Sequence, residues 1–396
     1  MSDKKKLLTL NGSHSEIALI QAAKKSGFHV ITSGNAPHLT GHQYADEYHP
    51  VDYSDNEKAL QLAQKLKIDF ICSCANDFGA ITASFIAEKM GLPGHDPYDI
   101  ALLLHHKDSF KKFSLDNDLP VPFSKSFNEQ EQALKSVESF TFPVIIKPVD
   151  LTGGKGISTA HNEDEYSTGI KNAFDLSRQK RVVVEDFFHG TQHSFSSFLV
   201  NKKVVFYFSD NEYSHIDPYY VSTSAAPAID IEKHKETLLL AVEKTARKLD
   251  LVDGVFHIQY IDNGDEAKII DITRRCSGDL YSYPVSYSTG IDWASWIIHA
   301  ETGQDCTLLP QITQSGYCGR HCVMSKCNGV IKDIIISDDI KPYIYDELFW
   351  WKPGYRIDNY LAQKAGIVFL RFDSMDEMLD ITRRLPDLIQ IILEPD

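Results

Sequence analysis

Along the first hundred residues the apolar positions switch between two periods. Residues 6–11 and 28–32 are short apolar runs that predict strands, while 13–25 carries the helical period and Gly27 ends it. Residues 55–67 place Ala59, Leu62, Ala63 and Leu66 on one helical face. A strand is expected over 69–74 and a helix over 78–90, stopped by Gly91-Leu-Pro-Gly. Strands alternating with helices predict a parallel sheet covered on both faces. Gly12 is a lone turn glycine, and no Gly-x-Gly-x-x-Gly follows it, so no dinucleotide site is expected. Asn76 and Asp77 close a parallel strand, where α/β ligands bind, and a substrate role or a helix cap fits them equally.

The pattern changes at Pro97. Residues 99–116 read as one or two helices, and Pro120 and Pro122 break the chain. Then comes Phe142-Pro-Val-Ile-Ile-Lys-Pro-Val, a buried strand carrying one lysine, which runs into Asp150-Leu-Thr-Gly-Gly-Lys-Gly-Ile. A helix over 163–176 precedes the strand Arg181-Val-Val-Val-Glu-Asp, and a hairpin is expected around Lys202. Residues 232–248 form a helix with Leu238, Val242, Ala246 and Leu249 at helical spacing. Strands over 254–261 and 267–273 are joined by Asp262-Asn-Gly-Asp-Glu. The last ninety residues mix short strands with turns and end in a helix over 376–384; they form a small lobe or return strands to the main body.

Composition narrows the class. The chain has 396 residues, 43% hydrophobic and 24% charged, as in ordinary soluble globular proteins. No apolar run approaches the roughly 18 residues of a membrane span, and the apolar part of the N-terminal segment is too short for a signal peptide. A cytoplasmic protein without a membrane partner is expected. The net charge of −15 speaks against coating nucleic acid. Seven cysteines show no framework spacing, and Cys318, Cys322 and Cys327 lack the paired spacing of a zinc site, so reduced thiols are expected.

Three segments carry chemistry. Gly153-Gly-Lys-Gly156 can crowd backbone N–H groups around an anion, with Lys155 adding charge. Lys147, in the middle of an apolar strand six residues earlier, needs a partner, either a phosphate or a buried carboxylate. In the hairpin, His257, Gln259 and Ile261 share one face, and Ile269, Asp271 and Thr273 share another. A two-residue turn at Asn263-Gly264 pairs odd with even positions and separates Gln259 from Asp271. A five-residue loop pairs odd with odd, sets His257 opposite Asp271, and gathers Gln259, Asp271 and Thr273 into an oxygen-rich patch suited to Mg²⁺. A solvated strand face is the alternative. Finally, Arg274 and Arg275 followed by Cys-Ser-Gly read as an anion clamp or as surface arginines paired with acids.

In this order the segments resemble the ATP-grasp superfamily, over roughly 6–303. The resemblance implies an α/β chain: a pre-ATP-grasp parallel-sheet domain over 1–96, an ATP-grasp α+β fold over 97–303 with a flexible lid at about 124–205, and a small C-terminal α+β lobe over 304–396. Lys107 and Lys147 match the two nucleotide lysines, and Gly153, Gly154 and Gly156 match the loop over the phosphates. Glu185 matches the residue that takes the adenine amine, and the backbone near Phe188 the segment against the ring. Gln192 stands where a ribose-binding Glu is usual. Gln259, Asp271 and Thr273 stand at the metal positions, where the usual residues are Glu or Asp, Glu, and Asn. Arg275, with Lys155, would steady the transferred phosphoryl group. The resemblance implies an ADP-forming carboxylate–amine ligase using ATP and Mg²⁺, with Mn²⁺ as a substitute. Its partners would be a small-molecule carboxylate and an amine, in a chain that resembles proteins often found as homodimers. Two alternatives stay open, a degenerate nucleotide-binding module and phosphoryl transfer without ligation.

Overall fold

In a computed structural model, residues 4–151, 153–308 and 315–395 are described; Met1, Ser2, Asp3 and Thr152 of the glycine-rich loop lie outside the described residues. The N-terminal apolar runs form a parallel sheet in the order Glu47–His49, His29–Ser33, Lys6–Leu10, Phe70–Cys72. Local chemistry sets the flanking helices. Asp55 caps Asn56–Leu66 by accepting from the Lys58 amide, Asn76 caps Asp77–Met90 by accepting from Phe78, and Gly91 ends the latter helix in the left-handed region at φ +67°. Asn76 is thus a cap.

Residues 99–116 resolve into two helices, Tyr98–His105 and Lys107–Asp116, broken at His106, whose backbone is extended. A four-stranded antiparallel sheet follows, in the order Ser124–Phe127, Val182–Asp186, Val144–Pro148, Ser158–Ala160. Helix Glu163–Leu176 seals one face of it through Tyr166, Ile170, Ala173 and Phe174.

The largest sheet has eight strands: Ala267–Thr273, Gly254–Asp262, Thr191–Val200, Lys203–Tyr213, Thr223–Ala226, Tyr317–Met324, Lys364–Phe372 and Ile344–Phe349. Three of the late strands therefore return to the main body, while Arg356–Ile357, Gly329–Ile336 and Ile389–Leu393 form a separate three-stranded sheet. Helix Ile231–Lys248 covers one face through Leu238, Ala241 and Val242. On the other face Phe198 and Phe206 meet Trp293 and Trp296 of helix Trp293–Glu301, and this core continues into helix Ile17–Lys25 of the N-terminal unit. The last helix runs over Met375–Leu388, past Pro386, because Leu385 and Leu388 are buried against the sheet. Among the described residues no helix is long and apolar enough to cross a membrane.

The 254–273 hairpin corrects the expected register. Asp262 pairs with Ala267, so the connection is four residues, and the strands begin odd against even. A bulge then leaves Ile270 unpaired and restores odd against odd. Gln259 faces Asp271, and His257 faces Thr273 rather than Asp271. The extra residue, invisible to a parity argument from loop length, is what brings Gln259, Asp271 and Thr273 onto one face.

The central sheet also buries titratable groups. His321 is 4% exposed and bonded through Nδ1 to Thr223 Oγ1 at 2.7 Å. Burial, helped by His215 and Arg320, pushes its imidazole down to about 3. An unfolded histidine takes up a proton near pH 6.5, which the folded site refuses. Stability is therefore lost as pH falls from that value toward 3. Urea midpoints at pH 7 and pH 5 are expected to show this loss, at about 1 kcal/mol per pH unit from this residue. His321→Gln should shrink the difference, and an unchanged difference would exclude His321 as its source.

Candidate active site

The two smaller sheets and the central sheet converge on a cavity of about 540 Å³. Lys107, Lys147, Gly153, Gly154, Glu185, Phe188, Gln192, Gln259, Asp271, Thr273 and Arg275 all line it. Lys155 is exposed and lies outside the lining, as does Gly156. The glycines are demanded locally. Gly154 has φ +75°, and a Cβ there would stand 2.4 Å from the Tyr219 carbonyl oxygen. Next to it, Thr159 Oγ1 and the Tyr219 hydroxyl are 2.8 Å apart, so the segment after the glycines leans on the 214–222 loop.

The core-strand lysine found a carboxylate. Lys147 Nζ lies 3.1 Å from Glu185 Oε1, and Lys111 Nζ lies 3.0 Å from Glu185 Oε2. Lys111 and Glu185 are each 2% exposed. Burial pushes the Lys111 ammonium down; burial also opposes the Glu185 charge, but the two ammonium groups hold its carboxyl below the ordinary range. Glu185 Oε1 is buried with the Lys147 ammonium as its one close partner among the described residues, and it keeps acceptor capacity. Lys111 escaped the sequence reading because its neighbour Lys112 and the surrounding polar residues make it look like a surface position.

Lys107 Nζ donates to the Leu151 carbonyl at 3.0 Å and stands 3.9 Å from Asp271 Oδ2. Arg275 donates through Nε to Asp77 at 2.8 Å and through a terminal nitrogen to the Cys276 carbonyl at 2.9 Å. Its other terminal nitrogen has no partner among the described residues. Burial works against Asp77, yet Arg275 and His105 hold its carboxyl well below the usual range. Asp77 therefore joins the first unit to the arginine clamp. At the same end of the cavity Asp279 is met by His14 at 3.0 Å, by the Tyr220 hydroxyl at 2.7 Å, and by Lys364. These partners come from three distant parts of the chain, so nothing local in the sequence marks Asp279.

The oxygen set at the hairpin suits a hard cation. Asp271 supplies a carboxylate, Gln259 an amide oxygen, and Thr273 Oγ1 is buried without a hydrogen-bond partner. Among the described residues no group of three His, Cys, Asp or Glu could hold a metal by itself. Such a set fits Mg²⁺ completed by phosphates and water. One further acid was missed. Glu212, on strand Lys203–Tyr213, lines the cavity beside the two glutamines, and burial and the charge of Asp210 push its carboxyl up to about 8.

Residues 105–218 match the family model described as phosphoribosylglycinamide synthetase, ATP-grasp (A) domain. Phosphoribosylamine–glycine ligase of Pyrococcus furiosus is 26% identical over 294 residues, covering 68% of this chain and 66% of that protein, just under two thirds of its length. Among solved structures, an L-amino acid ligase from Bacillus licheniformis superposes over 100% of both chains with TM-score 0.83 and 17% identity. The biotin carboxylase domain of the Hydrogenobacter thermophilus 2-oxoglutarate carboxylase, crystallised with MgADP and bicarbonate, superposes over 98% of this chain and 90% of that one (TM-score 0.78, 18% identity). These superpositions share the fold.

Lys111→Met would leave Glu185 buried with the Lys147 ammonium alone. A loss of about 3–5 kcal/mol is expected from breaking such a pair, read from urea unfolding without ligand. Lys111→Met combined with Glu185→Gln should cost less than Lys111→Met alone; a larger cost for the double variant would show that packing, not charge, dominates.

Proposed function

We propose that this ATP-grasp protein is an ADP-forming ligase that activates a small carboxylate and joins it to an amine. The observation that carries the reading is the convergence, in one cavity, of Lys107 and Lys147, the Gly153–Gly154 turn, the Gln259–Asp271–Thr273 oxygens and the free edge of Arg275. Phosphates, a cation and a reacting carboxylate need those groups side by side.

The residues divide the work. Glu185 Oε1 offers an acceptor to an exocyclic amine, and Gln192 offers an amide to sugar hydroxyls. Lys147 and Lys107 neutralise phosphate charge from the two sides of the cavity. Mg²⁺, when bound, would spread the charge of the transferring phosphoryl group over its own coordination sphere. Gln259, Asp271 and Thr273 are the residues that would hold it. Arg275, fixed by Asp77, presents its unpaired nitrogen to the oxygens that change hands. The substrate carboxylate oxygen attacks the terminal phosphorus of ATP and ADP leaves. The amine nitrogen then attacks the acyl carbon and phosphate leaves, the amine proton going to solvent or to phosphate. The glycine turn, seated against Tyr219, keeps water from the acyl phosphate.

The test is incubation with Mg²⁺-ATP, hydroxylamine and pooled carboxylic acids, measuring ADP and hydroxamate together. Equal amounts of both are expected, falling about 10²-fold in a folded Lys147→Ala variant, the loss typical of removing one charge-stabilising donor. ADP without hydroxamate across the pool would overturn ligation in favour of phosphoryl transfer, and neither product despite ATP binding would favour a module without activity.

A further inference from the structure

We propose that Glu212 is the positioning residue that aims the carbonyl ends of Gln192 and Gln259 into the cavity. The inference rests on the nucleotide and cation reading of that cavity and goes beyond it, because it assigns Glu212, which also lines the cavity, a role through the two amides it binds.

The three residues sit on three adjacent strands of the central sheet. Gln259 is on Gly254–Asp262, Gln192 on Thr191–Val200 and Glu212 on Lys203–Tyr213. The registers place them on one face. Ser194 pairs with Gln259 on one side and with Asp210 on the other, and alternation carries Gln192 and Glu212 to the same face. On this face one carboxylate oxygen, Glu212 Oε2, accepts from Gln192 Nε2 at 2.8 Å and from Gln259 Nε2 at 2.7 Å.

An amide side chain is a donor at one end and an acceptor at the other, and its partners decide which end faces where. An oxygen that takes both amino groups turns both carbonyl oxygens away from itself. Neither carbonyl oxygen has a hydrogen-bond partner among the described residues, and both side chains line the cavity. The site therefore presents two aimed acceptors. Gln259 can offer oxygen to a cation beside Asp271, and Gln192 can offer oxygen to hydroxyl donors. If Glu212 were absent, either amide could turn its amino group to the cavity, which a cation would not tolerate.

The usual acids are thus replaced by a different arrangement of the same parts. Two neutral carbonyls face the cavity, and one carboxyl beside them holds the amino ends of both. The arrangement makes a sign prediction that mere packing does not. A carboxylate at 259 needs no aiming, but in the natural protein it would face Glu212 across 2.7 Å. Gln259→Glu should therefore harm the natural protein and help one lacking the Glu212 acceptor.

The experiment is calorimetric binding of MgADP to the full chain, with the melting temperature of the ligand-free protein as a fold check. Glu212→Met should weaken binding about tenfold, the scale on which groups orienting a metal ligand act. The weakening should shrink when ADP is titrated without Mg²⁺. Gln259→Glu alone should also weaken binding, whereas Gln259→Glu added to Glu212→Met should strengthen it. Equal effects of Gln259→Glu in both backgrounds, or unchanged binding in a folded Glu212→Met variant, would overturn the proposal. Should Glu212→Met fail to fold, the exchange of Glu212→Gln with Gln259→Glu asks the same question. Binding within about threefold of the natural protein sustains the proposal; binding as weak as Gln259→Glu alone overturns it. Failure of the natural protein to bind MgADP at all would instead remove the reading of the cavity on which the inference stands.

Discussion

Two lysines buried against one carboxylate set the geometry on which the rest of the site depends. Lys111 comes from helix Lys107–Asp116, Lys147 from a strand of the four-stranded sheet, and Glu185 from the neighbouring strand Val182–Asp186. Charges so deeply buried are expensive unless paired. That cost forces the helix and the sheet to one relative position, because among the described residues neither lysine forms an ion pair with another carboxylate. Lys107 lies one turn before Lys111, so fixing Lys111 also fixes where Lys107 meets the cavity. The bridge is asymmetric. Lys111 has a second partner, the Ile269 carbonyl at 3.2 Å, while Lys147 meets Glu185 alone among the described residues and remains able to turn toward another anion.

The opposite end of the cavity is assembled by the same logic from other parts of the chain. Asp77 from the N-terminal unit grips Arg275 and His105, and Asp279 draws in His14, Tyr220 and Lys364. Each acid is half-buried and offset by a cation from a distant element, Arg275 for Asp77 and Lys364 for Asp279. Arg275 is therefore held by the packing of one unit against the next. The cavity's shape follows from a few ion clusters, with apolar cores such as Phe198 and Trp293 setting the distance between them.

What could be read from the chain divides along sequence distance. Local signals were legible: the helix over 163–176, the glycine stops, and the hairpin at Lys202, whose Asn201 and Lys202 both take positive φ. The side of Lys147 was legible as a demand for a partner, though the partner in the structure is the carboxylate of Glu185. The register of 254–273 was not, because one bulged residue, Ile270, reverses parity without changing composition. Lys111, Glu212 and Asp279 were also hidden. Each owes its role to partners brought close only by strand order, and nothing in its local spacing announces them.

The two amides at acid positions show how such distant pairing changes chemistry. Taken one at a time, Gln192 and Gln259 subtract charge from the site. Placed on neighbouring strands they share Glu212, so a carboxyl still stands at the site, beside the amides rather than at the two acid positions. Burial opposes ionisation of Glu212 and so does Asp210 beneath it, so this carboxyl contributes orientation more than field. A cation beside Asp271 would then meet one ionised protein oxygen and neutral carbonyl and hydroxyl oxygens. Such a set is too weakly charged to strip a hard divalent ion of its water unaided. It becomes adequate when phosphate oxygens complete the shell. The constellation thus favours a cation that arrives with its phosphates over one held in advance.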